Sequence, residues 1–147
     1  MTRMSRVHHE DGSTLILAIF YGMLSLLLVL LVTASTSLYL ERKRLYSLAD
    51  AAALVGAEAF ELSSVSLDGG EPALTLRSPQ VREAVDGFLD DNPIGTFDEL
   101  TLEDAVSIDG KSATVTVSSA WRPPVLTLFV PDGIRLEVTA VARSVFR

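Results

Sequence analysis

The side chains in this sequence that could do chemistry are mostly carboxylates. Asp90 and Asp91 are adjacent, and Asp98, Glu99, Glu103 and Asp104 lie close together a few residues later. Paired carboxylates can share acid–base work or bind calcium. Neither cluster has the Asp-x-Asn-x-Asp order with its glycine that marks a calcium loop. Acidic loops of this kind are more often simply solvated. The two histidines, His8 and His9, are adjacent and near the N-terminus, so no Ser–His–Asp arrangement or histidine metal site can form in the folded part. Cysteine is absent, which removes disulfides, thiolate zinc sites, iron–sulfur clusters and thiol nucleophiles together. Twelve basic against nineteen acidic side chains give a formal charge of −7, with no basic face for nucleic acid. Neither a cofactor nor an enzyme activity is expected.

The elements that would position these groups follow from the apolar pattern. A chain of 147 residues allows one domain plus an appendage, and 48% hydrophobic residues argue against disorder. From Gly12 through Leu40 no residue is charged. Its centre, Leu15 to Val32, holds thirteen Leu, Ile, Phe or Val in eighteen positions. A hydrocarbon core of ~30 Å needs about 20 such residues in a helix, so the run is long enough to span it. At roughly −0.3 to −0.6 kcal/mol each, the thirteen favour insertion by about 4 to 8 kcal/mol. Two alternatives compete with a membrane span. A buried core helix would be shorter or amphipathic. A cleaved secretory signal would use Val32-Thr33-Ala34, but its apolar region is usually only ~7–15 residues, and Glu10 and Asp11 sit where basic residues belong. One membrane-spanning helix is therefore expected. Arg3 and Arg6 before it nearly balance Arg42, Lys43 and Arg44 after it, so charge counting leaves its orientation open.

Beyond the span, Leu38, Leu45, Leu48, Ala52, Val55, Ala59 and Leu62 repeat at helical spacing and draw one stripe. No proline precedes Pro72, so the membrane helix is expected to continue to about Glu61, some 70 Å in all from Thr14. The stripe reads either as intramolecular core or as a helix-packing seam between subunits. The alanine-rich run Ala49 to Ala59 lets another helix or a sheet approach closely. Val65 to Leu76 alternates around Gly69-Gly70, which predicts a small hairpin. Ser78-Pro79 reads as an N-cap and first helical position, opening a short helix through Val81, Ala84, Val85, Phe88 and Leu89 that stops at Asn92-Pro93. Two strands are expected around a two-residue turn at Asp109-Gly110, with Leu100 and Leu102 extending the first strand or forming their own. Val125 to Pro131 is a short buried turn, a strand or a partner contact. Ile134, Leu136, Val138, Ala140 and Ala142 alternate with Arg135, Glu137, Thr139, Val141 and Arg143, the clearest strand pattern in the chain. The fold class is α+β: a long N-terminal helix, a short helix and a small antiparallel sheet covered by the alanine-rich half of the long helix.

A polar leader ending in Gly12, then GSTLIL and a long apolar helix, is similar to the N-terminus of type IV pilins and pseudopilins. Past the span, RKRLYSLADAAALVGAEA, Arg42 to Ala59, resembles the matching segment of TadE/TadG-like proteins of the tight-adherence (Flp) pilus system, and VTAVAR near the C-terminus resembles the end of that family. The resemblance covers residues 10 to 62 well, 134 to 143 weakly and the middle hardly at all. It implies a pilin-like fold with a cytoplasmic leader at 1–12, a transmembrane helix at 13–40 and an extracytoplasmic domain at 41–147. Within that domain, 41–62 extends the helix and 63–147 holds the hairpin, short helix and strands. It also implies a prepilin peptidase that cuts between Gly12 and Ser13. Other Tad/Flp pilus-assembly proteins or pseudopilins, and membrane lipid, are the implied partners. Homo- or hetero-oligomers would form through the N-terminal helix. The sequence departs from the pattern at Leu17, where pilins and pseudopilins carry glutamate. That substitution suits either a low-stoichiometry or tip subunit, or an unprocessed membrane anchor. The competing function is a membrane-tethered binding or scaffolding module that enters no filament.

Overall fold

The computed structural model describes residues 11–59, 65–68, 71–91, 97–123, 127 and 131–143. Helix α1 spans Asp11–Glu58, strands β1 and β2 span Val65–Asp68 and Glu71–Leu74, and helix α2 spans Ser78–Asp91. Strands β3, β4 and β5 span Asp98–Val106, Ser112–Trp121 and Ile134–Arg143. The expected α+β composition is present: one long apolar helix, one short helix and a three-stranded antiparallel sheet ordered β3-β4-β5. β1 and β2 form a separate two-stranded hairpin, in register from Val65↔Leu74 to Asp68↔Glu71. The chain divides into two units, Met1–Ser37 and Leu38–Arg147.

In the first unit α1 is apolar on all sides. Leu15, Phe20, Leu24, Leu28 and Val32 are all exposed, as are the residues between them. Towards its end the hydroxyls of Thr33, Ser35 and Thr36 donate to the carbonyls of Val29, Leu31 and Val32, at 2.8, 2.8 and 2.9 Å. Polar side chains that satisfy themselves on the preceding turn can sit in an apolar helix without a partner.

In the second unit the core lies between α1, α2 and one face of the sheet. Leu45, Ala49, Ala52, Ala53 and Ala57 join Val81 and Val85 of α2 and Ala105, Ala113, Val115, Val117, Val138 and Ala140 of the sheet. Gly56 marks the closest approach. A methyl group built on it would lie 3.0 and 3.2 Å from Val81 and Val85 and 3.3 Å from Ala113. Glycine there costs helix propensity but lets α2 and β4 meet the α1 backbone. α1 ends at Glu58, three residues before the expected Glu61, and Ala59 closes it by donating from its backbone N to the Gly56 carbonyl at 3.3 Å.

Two local readings need correction. Ser78 is not a free N-cap. Its hydroxyl donates to the Ser107 carbonyl and accepts from the Ser107 N–H, at 3.1 and 3.0 Å. The Arg77 carbonyl instead receives the first helical bonds, from the N–H groups of Gln80 and Val81. Asp109-Gly110 is not a two-residue hairpin turn either, because the last β3–β4 pair is Val106↔Thr114. The connection is longer and is tied to the start of α2: Ser107 is held by Ser78, and the Gly110 carbonyl accepts from Leu76 N at 2.8 Å. A longer loop reaches this docking position, which a tight turn would not.

Leu100 and Leu102 belong to β3. That strand carries register shifts between Asp98 and Thr101 and between Leu102 and Asp104, each adding one residue relative to β4. Glu99, at φ 52°, lies in the first. The second lets Leu102 and Ala105 oppose the core residues Val117 and Val115 despite their odd spacing, and turns Glu103 and Asp104 to the outer face. β5 pairs with β4 without interruption from Ile134↔Trp121 to Arg143↔Ser112. Its alternation holds except at its start: Val138 and Ala140 are buried, Leu136 and Ala142 half-buried, and Arg135, Glu137, Thr139, Val141 and Arg143 exposed, but Ile134, expected on the covered face, is exposed too.

Candidate functional site

The proposed processing site falls in the first turn of α1, where Gly12 and Ser13 are both helical. The leader residues up to Glu10, with His8 and His9, lie outside the described residues. Leu17, five residues past Gly12, is exposed on the apolar helix. α1 is long and apolar enough to cross a membrane, and none of its apolar window is buried by the protein itself. This supports single-pass membrane anchoring. Arg42, Lys43 and Arg44 follow the apolar segment on consecutive helical positions, all exposed, with the exposed rings of Tyr39 and Tyr46 nearby. Tyrosine beside basic residues is the usual composition of a headgroup zone.

The residues of the helical stripe divide by depth. Leu45, Leu48 and Ala52 are buried, Leu38, Val55 and Ala59 are half-buried, and Leu62 lies outside the described residues. The buried arc also takes in Ala49, Ala53, Gly56 and Ala57. A seven-residue repeat drifts ~20° per heptad around a straight helix. The stripe therefore follows one side of the buried arc, and the small residues that meet α2 and β4 lie on the other. The crowded contacts at Gly56 are what the stripe overlooked. Their sequence signal is a glycine inside the alanine run Ala49 to Ala59.

The carboxylates do not gather. Asp90 and Asp91 are exposed at the end of α2. Glu99 pairs with Arg122, whose pKa is raised first by that bond and then by the charges of Glu99, Asp98 and Asp132. Glu103 accepts from the hydroxyl of Ser118 and from Arg135 at 2.9 Å. These donors, the serine first, hold its carboxyl below the usual range. Asp104 accepts from the Ala105 N–H at 2.9 Å. A general acid at neutral pH needs its pKa raised, so the shift at Glu103 runs the wrong way for one. Among the described residues no group of three or more His, Asp or Glu is placed to hold a metal ion. Within Val125 to Pro131, only Thr127 and Pro131 are described. Thr127 donates from its backbone N to the Pro123 carbonyl at 3.1 Å.

An exposed apolar helix long enough to cross a membrane, followed by a small α+β domain, points to single-pass membrane anchoring. Residues 12–59 match a family model described as Flp pilus-assembly TadE/G-like. Comparison with curated proteins and with solved structures finds no match.

Proposed function

We infer that this chain is a non-catalytic, minor pseudopilin-like or membrane-anchored component of a Flp/Tad-type pilus-assembly or secretion apparatus. Its N-terminus is cytoplasmic and its domain extracytoplasmic, and it packs with other pilus-assembly proteins through its N-terminal helix. One observation carries the reading: the family match, residues 12–59, coincides with α1, Asp11–Glu58, from one end to the other. The likeness therefore falls on the element that both enters the membrane and lines the core.

A second reading is favoured by Leu17. Pseudopilins are expected to carry a carboxylate at that position, to pair with a neighbouring N-terminal ammonium in an apolar surrounding, where an isolated charge is costly. Without it the chain suits an unprocessed membrane anchor as well as it suits a low-stoichiometry or tip subunit, and a binding or scaffolding module outside any filament is the further alternative. Intact mass of the protein recovered from native membranes, beside a Gly12→Leu variant, separates the two. A mass starting at Ser13, lost in the variant, supports a processed pseudopilin. Full length in both leaves a permanent anchor. A start at Ser35 overturns the membrane span itself. Co-purification with pilus-assembly proteins distinguishes a machine component from a free-standing scaffold.

A further inference from the structure

The two edges of the β3-β4-β5 sheet differ. β3 carries two bulges, the positive φ of Glu99 and four carboxylates, the devices that keep a sheet edge from pairing. β5 carries none of the irregularity. It runs ten residues in unbroken register with β4, and among the described residues no strand pairs with its other side. Its outer face holds Glu137, Thr139, Val141 and Arg143, all exposed, with Val141 61% accessible. Glu137 and Arg143 have no ion-pair partner among the described residues, whereas Arg135 is taken by Glu103.

We propose that the free edge of β5 is a self-association surface, on which β5 of a second copy adds antiparallel, in a register centred on Ala140. The charges select this partner and this register. Two copies of one strand pairing about a two-fold axis oppose residues that point to the same side, so the centre must fall on a residue. Four centres, residues 137 to 140, pair seven or more of the ten residues of β5. Centring on Glu137 sets that carboxylate against itself. Centring on Thr139 sets Arg135 against Arg143 twice. Centring on Val138 opposes no two charges. Centring on Ala140 sets Glu137 against Arg143 twice, Thr139 against Val141 twice, and Val138 against Ala142 on the core side. Opposite charges and β-branched pairs directly across a ladder stabilise it, and like charges destabilise it. The result is one continuous six-stranded sheet across the pair.

The absence of cysteine in the chain makes the test clean. Full-length protein in detergent micelles is followed by sedimentation and by disulfide cross-linking. Glu137→Arg alone, or Arg143→Glu alone, should weaken association about tenfold, and the double swap should restore it. A mixture of Thr139→Cys and Val141→Cys chains should cross-link between the two species, and either variant alone much less. Thermal melts of each single variant, expected to match the wild type, show that it folds. A monomeric wild-type chain, a dimer indifferent to the charge reversals, or equal cross-linking by each cysteine variant alone would overturn the proposal.

Discussion

Asp109 shows how much one exposed side chain can organise. Its Oδ1 accepts from the backbone N–H of Lys111 and from both the N–H and hydroxyl of Ser112, at 2.9, 2.7 and 2.7 Å. These donors, the Lys111 amide first, pull its pKa from 3.8 down to about 2. The folded state thus binds this proton less readily than the unfolded chain. The stabilisation is present in full above the ordinary value and is lost as pH falls through about 2. Melting temperatures of wild type and Asp109→Ala, taken across pH, should differ by a constant amount above pH ~5. The gap should narrow below pH ~4 and nearly close towards 2. A gap independent of pH would mean that the loop is held by something other than the ionised carboxylate. In the sequence this residue announced a turn, and a turn is there. The length of the loop was not legible, because it is set by contacts with Ser78 and Leu76, about thirty residues away in the chain.

Helices and strands were readable where one physical signal dominated. The apolar run wrote α1, the period-two alternation wrote β5, and the residue before Pro93 ended α2 at Asp91. The bulged strand β3 was harder, since two extra residues break the alternation that identifies a strand. The buried arc of α1 was half legible for a similar reason: large residues advertise a stripe, while alanine and glycine advertise nothing about which side they face. Glycine substitutions test that packing directly. Gly87, in the middle of α2, has open space around it, so Gly87→Ala should stabilise the domain by about 0.5 to 1 kcal/mol through helix propensity alone. Gly56→Ala gains the same propensity but forces a methyl against Val81, Val85 and Ala113. Overpacking costs about 1–3 kcal/mol, so the net effect should be destabilising by about 1 kcal/mol. Denaturant midpoints of the two variants should move in opposite directions, and a stabilised Gly56→Ala would show that α2 yields without cost.

For the whole molecule, the separation of an apolar anchor from a small acidic domain was plain from composition, whereas any catalytic site had to be sought among carboxylates that the fold scatters. The anchor gives a quantitative expectation. Leu24→Arg with Leu28→Arg replaces two insertion-favouring residues by residues costing ~2.5–3.5 kcal/mol each, a swing of about 6 to 8 kcal/mol against the ~4 to 8 that the span supplies. The double variant should leave the carbonate-resistant membrane fraction while the wild-type chain stays in it. Equal retention would show that something other than the span holds the protein to the membrane. The unbroken course of α1 also has a mechanical meaning. A force applied along the helix at Leu38 does not peel the domain open one contact at a time. It must slide Leu45, Ala49, Ala52, Ala53 and Ala57 together across the core, with Gly56 seated between Val81, Val85 and Ala113. Loading in shear engages these contacts together, so the rupture force along the helix is expected to exceed that of the same contacts unzipped in sequence.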